Sequence, residues 1–288
     1  MILCHANLEN IMPYKHSKNE VGCYFCIMSI KTPLFFREYG QGEPLVILHG
    51  FLGLSDNWVS HVRHLSDTYR VIIPDMRNHG RSFHSKIMNY EAIQDDVLFL
   101  FDHLNIDKAI LLGHSMGGKA AMLFADRHPE KIQKLIIADI GPGEKKSDNS
   151  HQKILEALDN ISLESFTNRS DIALALSMKI DQTRIIQFLL KSILKDKNGL
   201  FLWKFNLEVL KNCLPQITKR LILQGDYHGP VLLIRGELSD YVTESDLNAM
   251  NSLYPQLIER SITGATHWLH ADSPAVFLKY LREFLKFC

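Results

Sequence analysis

Gly113-His114-Ser115-Met116-Gly117 sets a serine between two glycines, directly after the apolar run Ala109-Ile110-Leu111-Leu112 and before a segment in which Ala, Met, Leu and Phe recur at helical spacing. Strand, sharp turn and helix in that order make a nucleophile elbow, with Ser115 as the nucleophile and glycine where larger side chains would collide. A serine hydroxyl reacts at neutral pH only if a base takes its proton, and a third group must orient that base. In an elbow architecture the three follow the chain order serine, carboxylate, histidine. His267, in Gly264-Ala265-Thr266-His267-Trp268, follows the last expected strand and precedes the last helix, so it is the candidate base. His270 is its rival, and otherwise a helix-start or surface residue. His114 points away from Ser115 on such a turn and is read as a packing or rim residue. Two carboxylates compete for the third place. Asp139 ends the strand after the elbow helix, and Asp240 follows the next strand in Arg235-Gly236-Glu237-Leu238-Ser239-Asp240. The acid of many such loops lies three residues past the glycine, where this chain has Ser239. Asp139 is therefore preferred, with Ser239 a supporting hydrogen-bond partner and Asp240 the alternative acid; the plain alternative for Asp139 is to cap the turn into Gly141-Pro142-Gly143. His49-Gly50-Phe51 offers the Phe51 backbone N–H and the elbow offers that of Met116, two donors for a developing oxyanion.

These groups need a scaffold that brings strand ends together, and the apolar runs supply one. Strands are expected at Leu34 to Tyr39, Leu45 to Leu48, Val71 to Ile73, the elbow run, Leu135 to Ala138, Val231 to Ile234 and Leu257 to Ile262, with helices at Tyr90 to Leu104, after Ser115, at Leu247 to Leu253 and at Pro274 to Phe287. Alternating strands and helices imply an α/β fold with a mostly parallel central sheet, right-handed crossovers and helices on its flanks. Ligands then gather at the carboxyl ends of the strands, where every motif above falls. Between Gly141-Pro142-Gly143 and Gly229-Pro230 the rhythm breaks into helix-like segments at Gln152 to Leu158, Asp171 to Met178, Arg184 to Leu194 and Asn206 to Cys213, without a convincing strand. The expected organisation is an α/β core of residues 32–142 and 230–288 with a helical cap, 143–229, inserted into it. Residues 1–31 show no clear period and are read as a poorly ordered N-terminal extension, upstream of a candidate start at Met28.

The residues resemble the α/β-hydrolase family and, within it, the YbfF-like bacterial esterases. The resemblance rests on His49-Gly50-Phe51-x-Gly53, Asp75-x-Arg77-Asn78-His79-Gly80-x-Ser82, Gly113 to Lys119, Asp139-Ile140-x-Pro142, Trp203-Lys204-Phe205-Asn206, Arg235-Gly236-x-x-Ser239-x-Tyr241-Val242 and Gly264-x-x-His267-Trp268. It implies hydrolysis of carboxylic esters or acyl thioesters, with Ser115 and His267 at the family's nucleophile and base and Asp139 at its unusual earlier acid position. It also implies that Asp75, Arg77 and His79 brace loops around the site. Gly143-Glu144-Lys145 departs from the family's continuation after Asp-x-x-Pro, which bears on the cap hinge and substrate fit.

Composition narrows the rest. With 32 basic and 32 acidic residues the formal charge is zero, so no global field favours nucleic acid or an anionic membrane, and a small, mostly neutral substrate is expected. No apolar stretch approaches the roughly 18 residues of a membrane-spanning helix. Five scattered cysteines do not form a disulfide framework, Cys23-x-x-Cys26 lacks further zinc ligands, and a reducing cytoplasm is the expected home. No cofactor or metal is expected. The expectation is a serine esterase or thioesterase for short to medium acyl chains, the cap providing an apolar acyl pocket and Lys145 and Lys146 a contact for a coenzyme A phosphate. Epoxide and haloalkane hydrolysis need a carboxylate nucleophile, which Ser115 is not; carbon–carbon bond hydrolysis, perhydrolysis and a non-catalytic ligand sensor remain open. Oligomeric state is not legible.

Overall fold

The computed structural model describes residues 32–145 and 150–286. The readings of residues 1–31, and of Lys146, lie outside these. Strands β1 (Phe36–Tyr39), β2 (Glu43–Leu48), β3 (Tyr69–Pro74), β4 (Ala109–His114) and β5 (Ile132–Ala138) precede an insertion that contains β6 (Ile193–Lys195) and β7 (Phe201–Trp203), and β8 (Val231–Gly236) and β9 (Leu257–Ile262) follow it. The helices are α1 (Val59–Val62), α2 (Tyr90–His103), α3 (Met116–Arg127), α4 (Ser150–Asp159), α5 (Arg169–Ser177), α6 (Thr183–Lys191), α7 (Leu207–Thr218), α8 (Glu244–Leu253), α9 (Leu269–Asp272) and α10 (Pro274–Leu285). Among the described residues no helix is long and apolar enough to cross a membrane.

The main sheet has the order β1-β3-β2-β4-β5-β8-β9. Only β1 is antiparallel, to β3, and the other pairings are parallel. Its central strands read as unbroken apolar runs because both faces are covered. On β2 and β4, Val46, Leu48 and Leu111 face the side packed by α2, α3 and α8, while Leu45, Ile47, Ile110 and Leu112 face the core built with α10. The register of β4 against β5 carries Gly113 opposite Ile137 and His114 opposite Ala138, so the residues after both strands emerge side by side. β8 pairs Ile234 with Ala138 and continues that edge. Three adjacent strand ends therefore present Ser115, Asp139 and the Gly236 loop together.

The α/β sheet stands as the sequence implies, and each main-sheet strand falls within a few residues of its expected place. The insertion differs from its purely helical reading. The helix expected over Arg184 to Leu194 stops at Lys191, and Ile193–Lys195 pairs antiparallel with Phe201–Trp203. The turn between them explains the break: Asp196 Oδ1 accepts from the Asn198 and Leu200 amides at 2.9 and 2.8 Å, and Gly199 adopts φ +85°. Ile193 and Phe201 on one face of the hairpin are buried.

Candidate active site

Ser115 separates β4 from α3 with φ 53° and ψ −119°, a conformation that costs a non-glycine residue energy and turns the chain sharply enough to present its side chain at the strand end. The neighbouring backbone holds it there: the Ser115 N–H donates to Ala138 O at 3.1 Å, and Ser115 O accepts from the Lys119 amide at 3.0 Å. A Cβ on Gly113 would lie 2.1 Å from Gly117 O, and one on Gly117 would lie 2.3 Å from Leu48 O, so only glycine lets strand and helix close on the turn.

Asp139 also has positive φ, 53°, at the end of β5, and its side chain is fully buried. The carboxylate is not left without partners. Oδ1 accepts from the Gly236 amide at 2.8 Å, and Oδ2 accepts from the Ser239 hydroxyl and from His267 Nδ1 at 2.8 Å. Donation from Nδ1 leaves His267 Nε2 as the basic nitrogen. The Tyr241 ring stacks on the His267 imidazole, centroids 3.6 Å apart and 16° from parallel. His114 Nε2 lies 2.9 Å from His267 O. His114 is itself buried, which, with repulsion from a charged His267, pushes its pKa down to about 3 and keeps the ring neutral. It is a packing residue and not a rim contact. Asp240 is exposed beside a cleft of about 630 Å³ that it lines together with Ser239, Tyr241, His267 and Trp268. It makes no hydrogen bond to His267, so of the two carboxylates it is Asp139 that the structure joins to the histidine.

His270 stands in the first turn of α9, in line with its helix-start reading, but not at the surface. It is buried, stacked on Trp58 with centroids 4.7 Å apart and planes 8° apart, and burial pushes its pKa well down. Residues so far apart in the chain leave no local pattern from which to foresee that stack.

The loop after β2 is shaped by two more neutral histidines. His49 Nδ1 donates to Gly50 O at 2.8 Å while Nε2 accepts from the Met76 amide at 2.9 Å. His79 Nδ1 donates to Arg77 O at 2.9 Å and Nε2 accepts from the Leu52 amide at 3.2 Å. Burial lowers both, His79 to about 3, so neither ring loses its acceptor nitrogen to a proton near neutral pH. Asp75 takes the Ser55 and Arg81 amides at 2.7 and 3.0 Å, and Arg77 forms a buried pair with Asp96 at 2.6 Å. The loop is pressed against the elbow, for a Cβ on Gly50 would come within 3.2 Å of Ser115 Cβ. Phe51 and Met116 meet at one small cavity of about 30 Å³, whose wall includes Tyr90, Ile140, Leu214 and Ile217. The Met116 amide belongs to the open first turn of α3, where N–H groups lack intrahelical acceptors.

Among the residues that the sequence motifs named without a role, Tyr241 lies over His267 and Lys119 is buried one turn after the serine. Lys145, expected as a phosphate contact, is instead paired with buried Asp246 at 2.8 Å. Among the described residues no three His, Cys, Asp or Glu side chains are grouped to hold a metal ion.

A parallel sheet of this order, with a strained serine after its central strand and an aspartate-bound histidine beside it, defines an α/β hydrolase. The sequence profile of the alpha/beta hydrolase fold matches residues 43–274, and the chain belongs to that family. It is 35% identical over 245 residues to the esterase YbfF of Escherichia coli (strain K12), covering 85% of this chain and 94% of the relative. It is 32% identical over 256 residues to the sn-1-specific diacylglycerol lipase ABHD11 of Danio rerio, 87% of this chain and 81% of the relative. The solved structure of a marine microorganism esterase superposes with a TM-score of 0.86 at 40% identity, covering 88% of this chain and all of that one. The chain is thus a hydrolase of the esterase and lipase type.

Proposed function

We propose that the protein hydrolyses carboxylic esters of short acyl groups through an acyl-enzyme on Ser115. His267 Nε2 takes the Ser115 proton as Oγ attacks the acyl carbonyl, and the Phe51 and Met116 amides receive the negative charge on the carbonyl oxygen. Collapse of the tetrahedral intermediate breaks the acyl–oxygen bond, and His267 gives its proton to the departing alcohol. Water then enters, loses a proton to His267, attacks the acyl-enzyme and frees the acid. Asp139 keeps the Nδ1 proton in place and offsets the charge of the imidazolium. The hydrogen bond of His267 Nδ1 to the buried Asp139 carboxylate, 2.8 Å, carries this reading. An orienting carboxylate with no solvent exposure has little other purpose beside a strained serine.

The insertion, residues 143–229, acts as the cap of this site. Leu214 and Ile217 from α7 give the small cavity beside Phe51 and Met116 its apolar wall, which suits the acyl part of the substrate. The larger cleft beyond His267 suits the leaving alcohol. A fluorophosphonate probe tests the assignment: it should label the wild type and not Ser115→Ala, and a folded wild type that resists the probe would refute it. A panel of acyl esters and acyl thioesters of rising chain length measures both the acyl limit and the preferred leaving group.

A further inference from the structure

Lys119 is nearly inaccessible to solvent, although it stands on a helix that starts at the active site. A buried ammonium must find partners, and its Nζ donates to main-chain carbonyls: Gly143 at 2.7 Å, Lys219 at 2.6 Å and, at the limit of a bond, Thr218 at 3.4 Å. These carbonyls belong to the two segments that close the insertion, its first residue Gly143 and the end of its last helix α7 at Thr218–Lys219. The ends are also bonded to each other, Lys145 N to Thr218 O at 2.8 Å and Leu221 N to Pro142 O at 2.8 Å. Asp246 holds the entry end from α8, accepting the Gly143 amide at 2.7 Å and Lys145 Nζ at 2.8 Å. Lys119 links both ends to the helix whose first residue is Met116.

The same end of α7 forms the wall of the acyl cavity. Leu214, Ile217 and Thr218 line it from the insertion, Phe51, Met116 and Lys119 from the core. Its volume of about 30 Å³ is scarcely that of two or three heavy atoms, since a single water needs on the order of 10–15 Å³ by the same measure. A longer acyl chain enters only if the end of α7 moves away. We propose that Lys119 is a positioning residue that sets acyl-chain selectivity, by clasping the start of the insertion and the end of α7 onto the elbow helix and so keeping the acyl cavity short. This inference rests on the esterase reading above.

A pH effect follows. Burial, reinforced by Lys145, pushes Lys119 down to about 7 in the clasped form, against the pull of Asp246 and Glu144. Tyr90 faces it from α2, its ring 5.9 Å from Nζ, and His151 and Tyr241 lie across the cavity. In an opened form, Lys119 meets water and returns toward the ordinary lysine value of 10.5. The clasped form then binds fewer protons between these values, so raising the pH above 7 favours clasping. The long-to-short ratio of kcat/KM should fall over that range, by at most about tenfold per pH unit. A pH effect on the chemical steps acts on both substrates and cancels in the ratio.

The test compares p-nitrophenyl octanoate with p-nitrophenyl acetate in wild type and Lys119→Met, and follows hydrogen exchange of residues 141–145 and 217–221 in a Ser115→Ala background. Lys119→Met should raise the octanoate-to-acetate ratio about tenfold, the scale of losing hydrogen bonds to buried carbonyls, flatten its pH dependence and speed exchange at both ends. A folded Lys119→Met with unchanged ratio and exchange overturns the proposal. If that variant does not fold, the wild-type ratio decides alone: a decline from pH 7 to 9 supports the clasp and a flat ratio overturns it. Faster exchange in Lys119→Met, with no ester turned over by either protein, supports the clasp and sinks the esterase reading instead.

Discussion

Replacing Asp139 by asparagine removes one charge and almost no volume. The backbone tolerates it, because φ 53° lies in the left-handed region that asparagine adopts more readily than most residues. The amide oxygen can keep the Gly236 N–H that now donates at 2.8 Å. The amide nitrogen then faces the Ser239 hydroxyl and His267 Nδ1, where the carboxylate oxygen accepts today. As a donor it forces His267 to accept at Nδ1 and to carry its proton on Nε2, the nitrogen that must be empty to activate Ser115. The wrong tautomer costs a triad about 10⁴ in kcat, close to 5.5 kcal/mol of barrier. Purified Asp139→Asn should therefore melt near the wild-type temperature and hydrolyse p-nitrophenyl acetate some 10³- to 10⁴-fold more slowly, mostly in kcat. Asp240→Asn, at an exposed position with no bond to the base, should stay within about threefold of wild type. Near-normal turnover by Asp139→Asn together with loss of activity in Asp240→Asn would refute this assignment.

Two other outcomes follow from the same geometry. His79 and His114 are held near 3 in the fold against 6.5 when free, so the unfolded chain binds more protons in that window; stability is full above pH 6.5 and falls as the pH drops below it. At pH 5.5 the two should cost together about 3 kcal/mol, seen as a thermal midpoint several degrees below that at pH 7.5, and equal midpoints would contradict the neutral rings. Gly117→Ala puts a Cβ 2.3 Å from Leu48 O, and even where the variant folds, displacement of Ser115 by a fraction of an ångström should lower kcat/KM by about 10².

The centre of the main sheet was legible because its strands are covered on both faces and so appear as short apolar runs closed by Gly, Pro or Asp. Ser115 was legible for a related reason, since a glycine pair around a serine at the end of such a run has a steric purpose. Asp139 was preferred over Asp240 because the place three residues past Gly236 holds Ser239, and the hydrogen bond from His267 Nδ1 to Asp139 at 2.8 Å agrees with that preference. Other features depend on contacts that leave no periodic mark. β6 and β7 have three residues each, too few to show alternation against helical neighbours. Nothing in the chain near Lys119 shows that the insertion folds over it, and Lys145, read as a phosphate contact, meets Asp246 only because α8 brings that carboxylate to it. Tyr241 lies in a loop whose course is set by the β8–β9 crossover, so its place over His267 is a property of the assembled sheet.

The central claim is that a carboxylic ester passes its acyl group to Ser115. Mixing the protein with p-nitrophenyl acetate, quenching in acid and mapping peptides by mass spectrometry examines that transfer directly. One acetyl group on the peptide that contains Ser115, absent from Ser115→Ala and strongly diminished in His267→Ala, which lacks the base that activates the serine, is the expected result. Turnover of the ester with the acetyl group on another residue, or undiminished turnover by Ser115→Ala, would contradict it.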